Sequence, residues 1–219
     1  DQEDTEAYWN LGVIYSNGGY GITKDLSEAE RWYRKGAEAG DVYSQFDLGS
    51  MYFYTSGIHK DNNEAAKWFR KAADQGHSQA QFLLGRLYAN GFGVPLDKSE
   101  AVRWYRQAAA QGNVEAQWVT AASYLAGFGV PKNYVEAAKW LHRCAEQGSG
   151  VCRFKLGILY LYGSGVPQDS IYAYAWISAA AAADYPDAAE YVSQLGEQMT
   201  PEQLAQAQQL AARIWAGET

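Results

Sequence analysis

The sequence predicts an all-α fold: a superhelical α/α solenoid of about five helical hairpins, 36 residues each, followed by C-terminal capping helices. Three observations predict it. Tryptophans 32, 68, 104, 140 and 176 recur every 36 residues. A dozen other columns keep step with them, and cap residues and glycines punctuate each unit at the same places. A period of that length marks a repeat array in which each unit stacks on its neighbours. Function in such arrays resides on an extended surface, which points to a binding module.

The first half of each unit carries a small residue (Ala7, Ser44, Ala80, Ala116, Cys152), an aromatic two positions later and a tyrosine six after that. Leu-Gly sits between them at 11, 48, 84 and 156, with Thr120-Ala121 in the fourth unit. Offsets of 2, 4 and 8 suit a helix with one buried face and a glycine where another helix comes close. We call it helix A. A glycine-rich loop follows, as in Gly91-Phe92-Gly93-Val94-Pro95, with looser versions ending Gly21-Ile22 and Gly57-Ile58. Glycine past a helix end accepts a left-handed turn and proline stops the helix from resuming.

The second half opens on Asp25, Asp61, Asp97, Asn133 and Asp169, each placed to cap a helix. Glu28, Glu64, Glu100 and Glu136 stand three residues later and predict capping boxes in four units, while Tyr172 breaks the pattern in the fifth. Helix B then carries the tryptophan and ends at Gly40, Gly76, Gly112 and Gly148 in four units. The short gap predicts antiparallel A–B hairpins.

These residues resemble the Sel-one-like repeat family, relatives of the tetratricopeptide repeats. The pattern Ala-x3-Leu-Gly-x2-Tyr, Gly-x-Gly-Val, Asp-x2-Glu-Ala-x2-Trp and Ala-Ala-x2-Gly runs from about residue 5 to 184. The resemblance implies a right-handed superhelix used for protein contacts, as adaptor or scaffold. The repeats are placed at about 5–41, 42–77, 78–113, 114–149 and 150–185, so that 1–185 form the array and 186–219 its capping helices.

The tail leaves the period. Two helices are expected between Pro186 and Gly217, the second opening at Thr200 with Pro201 first and Gln203 completing a capping box. Leu204, Ala207, Ala211, Ile214 and Trp215 form its apolar stripe. The outer face of helix B is basic in four units (Arg31, Lys67, Arg103, Lys139), whereas the fifth offers Ala175, Ser178 and Ala179, as a covered face would. Residues 1–4 are polar and expected to fray.

A net charge of -7 argues against nucleic acid, whose phosphates require a basic footprint. The longest nearly apolar run, 173–183, is about half of what spans a bilayer, so no membrane insertion is expected. Cys144 and Cys152 occupy two columns that otherwise hold small residues and should touch across a turn. Two cysteines there suggest a disulfide, the alternative being two buried thiols. The similar spacing in cysteine-rich secreted members of the family supports the bridge. A disulfide would place the protein in a periplasm or outside the cell. Asp1 where a methionine would stand fits a processed N-terminus and a trimmed one alike.

Catalytic and cofactor constellations are scarce. His59, His77 and His142 read as surface substitutions without the spacing of a zinc site, so no metal or cofactor is expected. The Gly-x-Gly loops follow helices and read as turns rather than phosphate cradles. Ser-x-x-Lys does not occur, which bears on the proposal that some cysteine-rich relatives bind or hydrolyse β-lactams. The sequence therefore reads as a non-enzyme.

Partner residues are sought where the repeat fails to repeat. On helix A those columns lie one before the small residue and three, six and ten after it, a helical stripe. They hold Glu6, Asn10, Val13 and Asn17; Tyr43, Asp47, Ser50 and Tyr54; Gln79, Leu83, Arg86 and Asn90; Glu115, Val119, Ala122 and Ala126; Val151, Lys155, Ile158 and Tyr162. Helices A line the concave side in related superhelices, so the stripe is the candidate contact surface for a protein or peptide. Its last two units are apolar and are either an exposed patch or covered by neighbouring helices. A homo-oligomer through that patch is possible but not indicated. The alternative function is a cell-wall or glycan-associated binder or weak hydrolase, with the stripe's tyrosines as stacking platforms.

Overall fold

A computed structural model describes residues 5–54 and 60–218 of the chain. The expected fraying of residues 1–4, the loop at Gly57-Ile58 and the placement of His59 lie outside them. The described residues form twelve α-helices and no strand, an all-α repeat fold. The chain divides into two compact units, residues 1–111 and 112–219.

In the first unit α1 (Thr5–Asn17), α3 (Val42–Tyr54) and α5 (Ser78–Asn90) are A helices, and α2 (Leu26–Glu38), α4 (Asn62–Asp74) and α6 (Lys98–Ala110) are B helices. Their packing rests on the glycine of the Leu-Gly column. A Cβ on Gly85 would lie 2.6 Å from the ring of Tyr105, and Gly12 and Gly49 face Tyr33 and Phe69 in the same way. Closest approach of A to B therefore needs hydrogen at that position. The two small-residue columns do meet, since a Cβ on Gly36 would lie 2.3 Å from Ser44 Oγ. Loop glycines have a separate task. Gly93 has φ +68°, and a Cβ there would fall 2.0 Å from the Asn62 carbonyl oxygen.

A polar clamp recurs at the same period. Gln81 Nε2 donates to the Ala73 carbonyl at 3.1 Å, and Gln111 Nε2 donates to Gln81 Oε1 at 2.8 Å. Gln45 with Ala37 and Gln75 repeats it one unit earlier. Each clamp ties the foot of helix A to the ends of the two B helices beside it.

In the second unit α7 (Val114–Ala126) and α9 (Gly150–Tyr162) are A helices, and α8 (Tyr134–Glu146) and α10 (Ser170–Ala181) are B helices. The tail forms α11 (Ala188–Gln198) and α12 (Pro201–Ala216). Thr200 and Gln203 make a reciprocal capping box that starts α12 after the Pro186 region. Ile214 of α12 is buried with Ala175, Trp176 and Ala179 of α10, with Leu210 and Ala211 packed beside them. Trp215 does not join this face. It is exposed, with the Arg153 guanidinium 5.4 Å from its ring centre.

The capping boxes of the repeats are only half formed. Asp25, Asp61, Asp97 and Asn133 accept from the third amide of their helices. The glutamates turn outward instead. Glu64 accepts from Lys67 and from the Trp68 indole, and Glu100 from Arg103 and the Trp104 indole. A cation three residues on and an indole four on compete better than one backbone amide, because both lie on the same helical face. In the fifth unit Tyr172 replaces the glutamate and stacks on Tyr160 at 5.1 Å, and the buried Trp176 indole N–H has no partner.

Candidate interaction surface and disulfide

Cys144 and Cys152 are fully buried and joined by a disulfide, with Cα atoms 5.8 Å apart. The bridge links the end of α8 to the start of α9, where the other repeats hold a small pair. Beside it Arg153 occupies the glutamine-clamp column. It donates to the carbonyls of Ala145 and Ala179 at 3.1 and 3.3 Å, and burial lowers its pKa.

The stripe residues of the first unit lie on neighbouring A helices. Trp9 on α1 donates its indole N–H to Asp47 Oδ2 on α3 at 2.8 Å and packs its ring 5.5 Å from Tyr43. Tyr43 in turn meets the His77 ring edge-on at 5.9 Å. Burial raises the Asp47 pKa, against the Trp9 hydrogen bond that lowers it. Tyr43 and Tyr54 are both about half exposed, at 55% and 53%. Arg86 and Asn90 on α5 are exposed, and the Arg86 guanidinium sits 5.8 Å over the Phe53 ring.

Two positions depart from the predicted surface. Leu83 is 1% exposed and belongs to the core, because an apolar side chain in a varying column turns inward by its own burial energy. His77 is not a surface substitution. It caps α5 by accepting from the Ala80 amide through Nδ1 at 3.1 Å and stacks on Phe46 at 4.4 Å. Burial lowers its pKa. His142 does lie partly exposed, with Nδ1 3.2 Å from Glu146.

In the second unit the stripe is mostly covered. Val119 and Lys155 are half-buried, and Ile158 packs against a cluster that includes Phe154, Ile177 and Ala207. Val151 packs against the cluster around the disulfide. Tyr162, at 67% exposure, and Ala126 face solvent. The apolar patch is thus divided, with Ile158 and Val151 partly buried against the core clusters and free surface at Tyr162. Among the described residues no group of three or more metal-ligating side chains comes together. No described helix is long and apolar enough to cross a membrane.

The family described as Sel1 repeat matches residues 5–41, 42–77, 78–113, 114–149 and 151–185. The chain belongs to the Sel1 repeat family. Two solved structures carry the likeness along nearly its whole length. One is c5321, a protective antigen present in uropathogenic Escherichia coli strains and displaying an SLR fold. It is 33% identical with a TM-score of 0.79, over 98% of this chain and 48% of that one. The chain thus spans about half the length of that antigen. The other is a Sel1 repeat protein from Oxalobacter formigenes, 33% identical with a TM-score of 0.81, over 97% of this chain and 88% of that one. A putative sel1 repeat protein from Klebsiella pneumoniae, 20% identical with a TM-score of 0.51 over 88% of this chain and 93% of its own, shares the fold. No curated protein matches the chain. Sel1-repeat proteins typically serve as protein-interaction scaffolds, and the family is generally non-catalytic.

Proposed function

We propose that this chain is a non-catalytic adaptor that receives a partner protein or peptide on the non-repeating columns of its A helices. One contrast on the A helices carries the reading. The column of Gly12, Gly49, Gly85, Ala121 and Gly157 is buried in every repeat, whereas Tyr43, Tyr54 and Tyr162, all in columns that vary, are more than half exposed. A tyrosine presents a large rigid apolar ring with a polar tip at small entropic cost, which suits it to an interface. On this reading Tyr43, Asp47, Tyr54, Arg86 and Asn90 form the contact set of the first unit, and Lys155 and Tyr162 that of the second, with Val119 and Ile158 supporting it from below. The adaptor works in a periplasm or outside the cell. The disulfide supports that placement, since such bonds persist in oxidising compartments.

Pull-down from envelope and secreted fractions with the full chain tests the reading. The expected result is a partner retained by the native protein and lost with both Tyr54→Ala and Tyr162→Ala, at unchanged melting temperature. A partner retained by both variants and lost with substitutions on the helix B face would overturn it.

A further inference from the structure

We infer that the groove between α1, α2 and α3 is a receptor for one basic side chain, lysine or arginine, presented by the partner. The inference rests on the adaptor reading and specifies its chemistry. The groove holds about 260 Å³, and Asn17, Lys24, Asp47, Ser50, Met51 and Tyr54 are among the residues that line it.

Asn17 and Lys24 carry donors, yet neither engages the groove's one carboxylate, Asp47. Asp47 engages Trp9 through Oδ2, and no described basic residue comes within ion-pair distance of it. The Ser50 hydroxyl is buried with no hydrogen-bond partner. The Tyr33 hydroxyl is spoken for by Ser16 Oγ at 3.2 Å. A half-buried carboxylate with one unengaged oxygen is open to a charged donor. Lys24 leaves that oxygen unengaged, since it lines the groove without pairing to Asp47.

The walls define the rest of the guest. Met51 and the half-exposed Tyr54 ring offer an apolar and π surface that suits an alkyl stem or a guanidinium plane. An acidic side chain would meet the Asp47 carboxylate. A purely apolar one would leave the Asp47 oxygen unengaged. A cation on an apolar stem pairs with Asp47 while its stem covers Met51 and Tyr54.

The test titrates the full chain with acetylated, amidated glycine-serine pentapeptides bearing a central lysine, arginine, norleucine or glutamate. The Trp9 indole N–H resonance, assigned with Trp9→Phe, reports on Asp47. Saturable shifts are expected with the lysine or the arginine peptide, at a Kd on the order of 1 mM, and none with norleucine or glutamate. Asp47→Asn keeps an acceptor for Trp9 while removing the charge, and should weaken the basic peptides by about fivefold or more. Tyr54→Ala, at an exposed site, gives a second variant with the same expected direction. Equal binding of norleucine and lysine peptides, no saturable shift with either basic peptide, or native affinity in both variants would overturn the inference. Failure here with a pull-down that still depends on Tyr54 and Tyr162 would remove the basic guest and leave the adaptor reading standing. Basic peptides that bind as expected, with a pull-down indifferent to both tyrosines, would uphold the groove and remove the adaptor reading.

Discussion

Substituting Gly85 by alanine tests the packing logic of the repeat at its tightest point. In isolation the change should help, because glycine inside a helix costs roughly 0.5–1 kcal/mol relative to alanine. The surroundings oppose it. The added carbon would lie 2.6 and 2.7 Å from two ring atoms of Tyr105 and 3.0 Å from the Ala101 carbonyl oxygen. Tyr105 is 3% exposed, so its ring has no free space to retreat into. Overpacking a tight core costs about 1–3 kcal/mol. The net expectation is a loss of about 1–2 kcal/mol, the propensity gain offsetting part of the clash. Unit four supplies the control within the same chain. It carries Ala121 in the glycine column and Leu141 in the column of Tyr105, both fully buried in one cluster. Gly85→Ala with Tyr105→Leu should therefore cost less than the sum of the two single changes, by about 1 kcal/mol or more. Urea unfolding of the four proteins, followed by circular dichroism and checked for equal m-values, measures the cycle. A Gly85→Ala protein more stable than native, or single changes that add within about 0.3 kcal/mol, would refute the reasoning.

Three further outcomes follow from the same geometry. Reducing the Cys144–Cys152 bridge, or replacing both cysteines by alanine, should cost up to about 2.5 kcal/mol from its short loop, read as a lower melting temperature under dithiothreitol. An unchanged melt would show that the small-residue contact holds without it. The His77 pKa is lowered by burial, so its neutral form is the one the fold favours and its stabilisation is complete above the unfolded value of about 6.5. As pH falls below that value toward the lowered folded pKa, the unfolded chain takes up the proton first and this stability is lost. His77→Asn, which copies the Asn113 cap, should flatten that slope in urea titrations between about pH 4 and 7. Ile158→Asp should destabilise by about 1 kcal/mol or more because Ile158 is partly buried against the core cluster of Phe154 and Ile177, whereas Tyr162→Ala should leave the melting temperature unchanged. Equal melting behaviour of the two variants would count against the division of the patch.

Much of the fold was legible because a repeat reports its packing within one chain. The column pair Gly36–Ser44 to Cys144–Cys152 reads as a contact from size alone, and two cysteines there suggest a bridge that the family resemblance supports. The surface was less legible. Variation along a column predicts exposure, yet Leu83 varies and is buried, since hydrophobicity rather than rhythm decides where a side chain turns. The glutamine clamps were present in the rhythm, at 45, 81 and 117 with 75, 111 and 147, but polar side chains at helix feet look like solvent-facing residues until the carbonyls they meet are placed. The Trp9–Asp47 bond joins residues 38 apart across two units, and nothing in either column announces it. His77 misled for a similar reason, since its ring reaches Phe46 of the preceding unit.

Site-specific photo-crosslinking measures most directly whether the varying A-helix columns grip a partner. Benzoylphenylalanine is placed singly at Tyr43, Tyr54 and Tyr162, and at Arg31, Arg103 and Lys139 on the exposed face of the B helices. The account predicts a shared crosslinked protein from the tyrosine positions and none from the basic ones. Adducts that form only from Arg31, Arg103 or Lys139 would contradict it.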